Sequence, residues 1–402
     1  MISLSDVFEN EKCCGCGACV NTCPVKAISF GKDAFGFVIP IIDEKKCKSC
    51  GLCVRNCPYN TNNSEKKDSE TFKPIAFAGV NKDLDVVAGS SSGGIFYSLA
   101  KAVLEDGGVV FGACMDDHFV VRHVAIDSIK NLYLIQRSKY IQSFMGNVYS
   151  QVKETLLKNK RVLFSGTPCQ AAGLKSFLHF KDYENLLIVE VVCHGTPNQD
   201  LFDDYRSYLE SCFGKLKSYT FRYKEKKENG MKWFSSFETS QKRFIFNWPE
   251  DSYNYYYMQS LTYRESCYEC KFAKKERNAD LTLCDYWHWE GLHKKDFSKK
   301  DSVSGIVVNT IKGKRAIKEI SSNLKLVESS FEYLSSHNSC LIEPCGKKTD
   351  RIYILNKWKN EGYAALDAEF KRKYKKQILK YRLMRYIPDA IFSFLYRLKN
   401  GR

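Results

Sequence analysis

The sequence predicts an α+β protein: a small cysteine-looped domain, then a larger α/β domain with a mixed sheet, then a C-terminal helical tail. Three observations predict it. A cysteine run is repeated near the start, as Cys13-x2-Cys16-x2-Cys19-x3-Cys23-Pro24 and Cys47-x2-Cys50-x2-Cys53-x3-Cys57-Pro58. From Ile75 onward, short apolar runs alternate with helical patterns. The last stretch is rich in lysine and arginine with apolar residues interleaved. The expected divisions are residues 1–62, a polar linker at 63–72, a large domain at 73–345 and a tail at 346–402.

The first part reads as a dicluster ferredoxin-like domain. Each run has the bacterial ferredoxin spacing, in which three cysteines hold one [4Fe–4S] cluster and the fourth ligates the other. Cys13, Cys16, Cys19 and Cys57 are the expected ligands of one cluster, and Cys47, Cys50, Cys53 and Cys23 those of its partner. Gly15, Gly17, Ala18 and Gly51 let the backbone wrap closely, and Pro24 and Pro58 turn the chain away. Zinc ribbons space paired cysteines further apart and lack the trailing Cys-Pro. Disulfides need an oxidising compartment, and Met1-Ile2-Ser3-Leu4 opens no signal-peptide pattern. Cys14 reads as a passenger thiol beside a ligand.

The elements follow in order. Ala27–Phe30 and Phe37–Pro40 form a hairpin-like stretch between the two runs. After the linker, Ile75–Val80 reads as a strand, Gly89-Ser90-Ser91-Ser92-Gly93-Gly94 as a loop, and Ile95–Glu105 as a helix with Phe96, Leu99 and Val103 on one face. Strands are expected at Val109–Ala113, Val120–Ile126, Arg161–Gly166 and Leu186–Val192, with a helix around Val148–Lys158. Alternating aromatic segments from Tyr219 to Trp248 suit antiparallel strands, and Asp280–Leu283 and Gly305–Thr310 add two more.

Composition narrows the class. The 402 residues include 18 cysteines, a count that points to metal ligation in a reducing, cytoplasmic setting. No apolar run approaches the roughly 18 residues of a spanning helix. The formal charge is +16, but each [4Fe–4S] core with four thiolates carries about −2, so two or three clusters remove roughly 4 to 6 charges. Much of the remainder lies in the tail, from Lys371-Arg372-Lys373-Tyr374-Lys375-Lys376 through Lys399, interrupted at Pro388, with Asp389 its one acid. Two readings stand: an amphipathic basic helix touching the inner membrane surface or an acidic partner, or a helix packed on the main domain with a solvated basic face. No nucleic-acid-binding signature accompanies the charge.

In the large domain three segments place cysteines just beyond strands or in loops: Gly166-Thr167-Pro168-Cys169-Gln170, Cys193-His194-Gly195, and Cys267-x2-Cys270. The carboxyl ends of strands gather the ligand site in open α/β sheets, so these four thiols are candidates for a third iron–sulfur cluster, for zinc, or for core positions. Cys284 is a fifth candidate. Cys114, Cys212, Cys340 and Cys345 are expected to be buried small apolar residues, and His194 a hydrogen-bonded neighbour. The Gly89–Gly94 loop at a helix N-terminus is the best anion-binding candidate, without the lysine of a P-loop.

These pieces resemble the coenzyme F420 hydrogenase/dehydrogenase beta-subunit family, a group of iron–sulfur flavoproteins, over roughly residues 73 to 345. The resemblance rests on Ser91-Ser92-Gly93-Gly94, Ser138-Lys139-Tyr140-Ile141-Gln142-Ser143, Gly166-Thr167-Pro168-Cys169-Gln170 and Cys193-His194-Gly195. Phe221-Arg222-Tyr223-Lys224, Arg264-x2-Cys267-x2-Cys270 and Ala279-Asp280-Leu281-Thr282-Leu283-Cys284-Asp285-Tyr286-Trp287 complete it. It implies a bound FAD with Ser91, Ser92, Gly93, Gly94, Lys139 and Tyr140 at the flavin, and a third [4Fe–4S] cluster on Cys169, Cys193, Cys267 and Cys270. Cys284 and Ser302 depart from the pattern, each standing where relatives carry glycine. Lys139 and Arg222 are candidate partners of the FAD pyrophosphate or surface cations, and Trp287, Trp289 and Tyr140 are candidate stacking residues or core.

The expected function is that of an oxidoreductase passing electrons between the N-terminal clusters and a flavin that exchanges hydride with a deazaflavin, nicotinamide or other reducible substrate. The alternative is a non-catalytic electron-transfer subunit feeding a partner enzyme, conceivably in cell-envelope polysaccharide biosynthesis. Its partner is a redox protein or a small-molecule electron carrier.

Overall fold

A computed structural model describes residues 12–60, 72–227 and 230–386. The expected linker, apart from Phe72, and the tail beyond 386 with Pro388 lie outside the described residues. The strands in chain order are β1 (Ile28–Lys32), β2 (Val38–Ile42), β3 (Ile75–Asn81), β4 (Val109–Met115), β5 (Val121–Ile126), β6 (Val162–Gly166) and β7 (Leu186–Val191). They continue as β8 (Leu216–Lys227), β9 (Gly230–Thr239), β10 (Arg243–Phe246), β11 (Leu281–Asp285), β12 (Ser304–Val308) and β13 (Leu324–Ser329). The chain divides into two compact units: one runs to Gln199 and adds Tyr263–Phe297 and Ser302–Lys347, the other comprises Asp200–Thr262, Ser298–Asp301 and the chain from Lys348.

The first unit is built on an eight-stranded mixed sheet in the order β13-β3-β12-β11-β7-β6-β4-β5. Its centre is parallel, with β4, β6, β7 and β11 pointing one way. Those strands are near-continuous apolar runs because both faces are covered. The helices Ile95–Glu105 and Ile311–Ile320 cover one face through Leu99, Val103, Ile317 and Ile320. The helices Val148–Leu157 and Pro168–Phe177 cover the other, packing with Cys14, Cys16 and Ala18 of the small domain in one apolar cluster. The small domain contributes the hairpin β1–β2. Gly173 makes this close approach possible: a Cβ there would lie 3.1 Å from Cys16 Sγ and 2.7 Å from the Tyr149 hydroxyl.

Register decides where the functional segments meet. Gly166 pairs with Glu190 and Glu190 with Thr282, so β6, β7 and β11 end together. Asp285 pairs with Ser304 and Ser304 with Gly79, which brings the end of β3 and the start of β12 to that same edge. The Gly89–Gly94 loop, Cys169, Cys193 and Asp285 therefore follow strands that finish on one side of the sheet. Strand β13 escapes the sequence pattern: it is an edge strand carrying Lys325 and Glu328, a charged edge that hides its period.

Two cysteine expectations change. Cys114 and Cys340 are buried, but Cys212 is exposed and Cys345 only partly covered. The Cys345 thiol donates to the His194 carbonyl at 2.8 Å, a polar role that explains its half-open position.

The second unit holds the antiparallel sheet β8–β9–β10 and an aromatic core in which Phe202, Tyr205, Tyr219, Phe221 and Tyr253 pack ring on ring. Buried Asp251 accepts from the Tyr219 hydroxyl at 2.9 Å and the Asn254 amide at 3.1 Å. The tail forms the helices Arg351–Lys373, kinked at Gly362, and Lys375–Tyr386. Its apolar face, with Leu355, Trp358, Leu366 and Phe370, is buried. Lys371 pairs with Asp367 at 2.7 Å and Arg382 with Glu250 at 3.2 Å, so this stretch packs within its own unit. Among the described residues, no helix is long and apolar enough to cross a membrane.

Candidate functional site

The Cys13–Cys19 loop folds around left-handed glycines. Gly15 and Gly17 have φ of +64° and +78°, and Gly17 starts the short helix Ala18–Thr22 that carries Cys19. Cys13, Cys16, Cys19 and Cys57 line a cavity of about 430 Å³, with Phe30 and Tyr59 among its walls. The Gly15 amide donates to Cys13 Sγ at 3.3 Å and the Tyr59 amide to Cys57 Sγ at 3.4 Å. Burial pushes the Cys19 thiol up, and the Cys13, Cys57 and Cys53 thiols add to it. Cys57 is pushed up to about 12 by burial, with Cys13 adding to it. Such crowding of thiols is unfavourable for ionisation until a metal supplies the positive charge. A cavity framed by four thiols and backbone amides suits a cubane. Among the described residues no His, Cys, Asp or Glu group closes tightly enough for a single ion. Cubane ligands sit on four separate irons and stand wider apart than ligands of one zinc.

The other run is arranged alike but open to solvent. Cys47 and Cys50 are exposed, while Cys23 and Cys53 are partly covered. The Ala27 amide donates to Cys23 Sγ at 3.2 Å and the Ser49 amide to Cys47 Sγ at 3.4 Å. Gly51, at φ +71°, begins the turn Leu52–Arg55 that carries Cys53. Burial raises the Cys53 thiol, with Cys50 and Cys23 adding to it.

Four thiols of the large sheet domain also act on one another. Cys169 lies in the first turn of the helix Pro168–Phe177, which Pro168 opens and Thr167 and Gln170 cap reciprocally. Cys267 closes the short turn Glu265–Cys267. Burial raises Cys193 well above the thiol range, and Cys267, Cys169 and Cys270 raise it further. Burial pushes Cys267 up to about 12 and Cys270 up to about 11, each with Cys169 among its neighbours. Cys284 stands outside this group. It lies on β11, donates to the Gly305 carbonyl at 3.6 Å, and is influenced chiefly by burial, Asp285 and Arg277. Burial lowers the His194 imidazole, which stays neutral.

Between the first and third groups lie residues whose roles the sequence did not announce. Cys14 is buried and hydrogen-bonded to both Cys16 and Cys169, so it is a joint between two thiol groups. Arg264 Nη1 donates to the Cys13 carbonyl at 3.0 Å and Nη2 to the Val38 carbonyl at 2.6 Å. Gln142 Nε2 donates to the Cys14 carbonyl at 2.8 Å. Tyr59 packs edge-on against Phe272 at 5.0 Å. Gln142 and Arg264 both belong to short motifs visible in the sequence, which was the available signal; their contact with a distant loop was not.

The expected flavin residues form a second gathering. Ser91 Oγ accepts from the Ser138 amide at 2.8 Å and the Ser138 hydroxyl at 2.9 Å, joining the glycine–serine loop to the segment bearing Lys139 and Tyr140. Ser92 Oγ donates to the Val303 carbonyl at 3.2 Å, and the Gly93 amide to Ser304 Oγ at 2.8 Å. A Cβ on Gly93 would meet the Gly79 carbonyl oxygen at 2.5 Å, so only glycine packs there. Gly94, at φ +85°, caps the helix Ile95–Glu105, whose first-turn amides face outward along its axis. Lys139 Nζ donates to the Leu134 and Gln136 carbonyls, and burial brings its ammonium down to about 8. Arg222 belongs to the second unit, over the Trp233 ring at 5.3 Å. Trp289 is buried against Phe297, whereas Trp287 is exposed.

Comparison with known proteins agrees with this division. Residues 12–61 match the 4Fe–4S dicluster domain. Residues 159–332 match the C-terminal domain of the coenzyme F420 hydrogenase/dehydrogenase beta subunit. A xenon-derivatised structure of the F420-reducing [NiFe] hydrogenase complex from Methanosarcina barkeri contains a chain 13% identical, with TM-score 0.42, covering 75% of this chain and 92% of that one. No curated protein matches the chain.

Proposed function

This chain is an iron–sulfur electron-transfer protein carrying the C-terminal domain of the coenzyme F420 hydrogenase/dehydrogenase beta-subunit family, and we propose that it is a three-cluster flavoprotein oxidoreductase. The clusters would be held by Cys47, Cys50, Cys53 and Cys23; by Cys13, Cys16, Cys19 and Cys57; and by Cys169, Cys193, Cys267 and Cys270. Each cubane carries one electron, and a flavin converts single electrons into hydride. The observation that carries the reading is the gradient of exposure: Cys47 and Cys50 face solvent, Cys16 and Cys57 are buried, and Cys14 bonds Cys16 to Cys169.

The protein's own groups do three things in this scheme. Exposed Cys47 and Cys50 offer an external redox partner its contact. Gly15 and Tyr59 amides donate to cysteine sulfurs and stabilise their negative charge. The N-terminus of the helix Ile95–Glu105, with Lys139 across the Ser91–Ser138 joint, offers an anion such as the FAD pyrophosphate its positive end. This loop follows β3, three strand positions from β7, or about 14 Å at the usual strand spacing.

Anaerobically purified protein should contain about twelve irons per chain on three cubanes, with stoichiometric flavin absorbance. Eight irons and no flavin after reconstitution would remove both the third cluster and the flavin. One observation favours the second reading, an electron-transfer subunit without its own active site: the Ser91 and Ser92 hydroxyls and Gly93 amide are already bonded within the protein. Reduction of the isolated chain by a deazaflavin or NAD(P)H, rather than by dyes alone, decides between them.

A further inference from the structure

Arg264 is 2% exposed and carries a permanent positive charge. Its guanidinium makes hydrogen bonds only to neutral oxygens: Gln142 Oε1 from Nε at 3.1 Å and from Nη2 at 2.8 Å, Cys13 O from Nη1 at 3.0 Å, and Val38 O from Nη2 at 2.6 Å. The Phe37 ring covers it at 5.2 Å. The neighbouring Glu265 is engaged by Lys347 instead. A buried cation satisfied only by dipoles is unfavourable unless an anion lies close by.

The surroundings supply that anion twice over. Arg264 holds the backbone of Cys13, a member of the first buried thiol group, and stands three residues before Cys267 of the sheet-domain group. Its charge acts favourably on the thiolates of Cys13, Cys169 and Cys267. Nothing comparable touches the exposed group at Cys47 and Cys50. Resting on the three-cluster reading above, we infer that Arg264 is a shared counter-charge for two adjacent clusters, those of Cys13/Cys16/Cys19/Cys57 and Cys169/Cys193/Cys267/Cys270, and a positioning residue for both.

The physical consequence is on potential. Taking up one electron makes a cubane one unit more negative, with no bond made or broken and no proton moved. A fixed buried cation favours that reduced form of both clusters, and it also lowers the repulsion of holding two anionic groups side by side. Arg264 thereby sets the potential of the inner pair relative to the outer cluster.

The experiment is an EPR-monitored redox titration of the full, anaerobically loaded chain, with iron counted first. Arg264→Gln should keep its iron and make the two inner clusters about tenfold harder to reduce, or about 59 mV lower for one electron. The outer cluster of Cys47, Cys50, Cys53 and Cys23 should not move. Arg264→Lys keeps the charge and should restore most of the shift. Gln142→Glu gives the guanidinium a carboxylate partner and should lower the same two potentials, so it carries the test where Arg264→Gln fails to hold iron. Full iron with unmoved inner potentials, or an equal shift of all three clusters, overturns the role of Arg264. Wild-type protein that loads only two clusters overturns the three-cluster reading instead.

Discussion

The two cysteine runs are close to copies in sequence, yet they fold into different surroundings. The Cys13–Cys19 loop is pressed against the helix Pro168–Phe177, where Gly173 admits Cys16 and Arg264 and Gln142 grip the Cys13 and Cys14 carbonyls. The Cys47–Cys53 loop has no such cover, and its first two thiols face water. Both keep the amide-to-sulfur bonds that ligation favours. What separates them is tertiary packing. A repeated motif thus yields one end of an electron path that an external partner reaches and another that water does not.

This contrast can be broken in stages. The largest effect is expected from Cys16→Ser, which removes a ligand inside the shared apolar core. It should cost about four irons and also destabilise the large domain, read as a fall in the urea midpoint of a sheet-domain probe. Cys53→Ser should cost the same iron with little change in that midpoint; an equal fall in both variants would erase the distinction between the loops.

Next comes pH. Burial brings the His123 imidazole down to about 4, while it is hydrogen-bonded to Ser143 and the Ser165 carbonyl on the buried side. The folded value lies below the unfolded one, so this contribution is complete above about pH 6.5 and fades as pH falls toward 4, by about 3 kcal/mol in all. Urea unfolding of the metal-free chain across that window should show the loss, and His123→Gln should flatten it. A wild-type profile as flat as the variant's would remove the buried imidazole from the account.

A smaller effect is expected at Cys193→Ser, which should leave the N-terminal clusters intact and cost about four irons of the third. Retention of all iron would argue against Cys193 as a ligand. The smallest belongs to Cys14→Ala. Iron content should be unchanged, with only a slight shift in the potentials of the inner clusters. Lost iron would make Cys14 a ligand rather than a joint.

Much of the site was legible because it is local. Ligand spacing, the Gly94 helix start and the strand-then-cysteine pattern at Gly166–Cys169 are set by a few neighbouring residues, and the structure keeps them. The relations that matter most were not local. Nothing near Cys14 in sequence places it against Cys169, and nothing around Arg264 announces that it holds Cys13, which is 251 residues away. Cys212 and Cys345 were misjudged for the same reason: thiols are buried or exposed by their packing partners, and identity alone does not choose.

The sequence by itself determined the two cysteine loops, the alternation that builds the mixed sheet and the family of the C-terminal domain. These depend on short-range geometry: glycine conformations, strand and helix periods, and ligand spacing. Only the tertiary structure decided which loop is buried, which thiol joins two groups and where a cation stands without a carboxylate. Burial and electrostatic coupling depend on distances through space, and residues far apart along the chain set those distances.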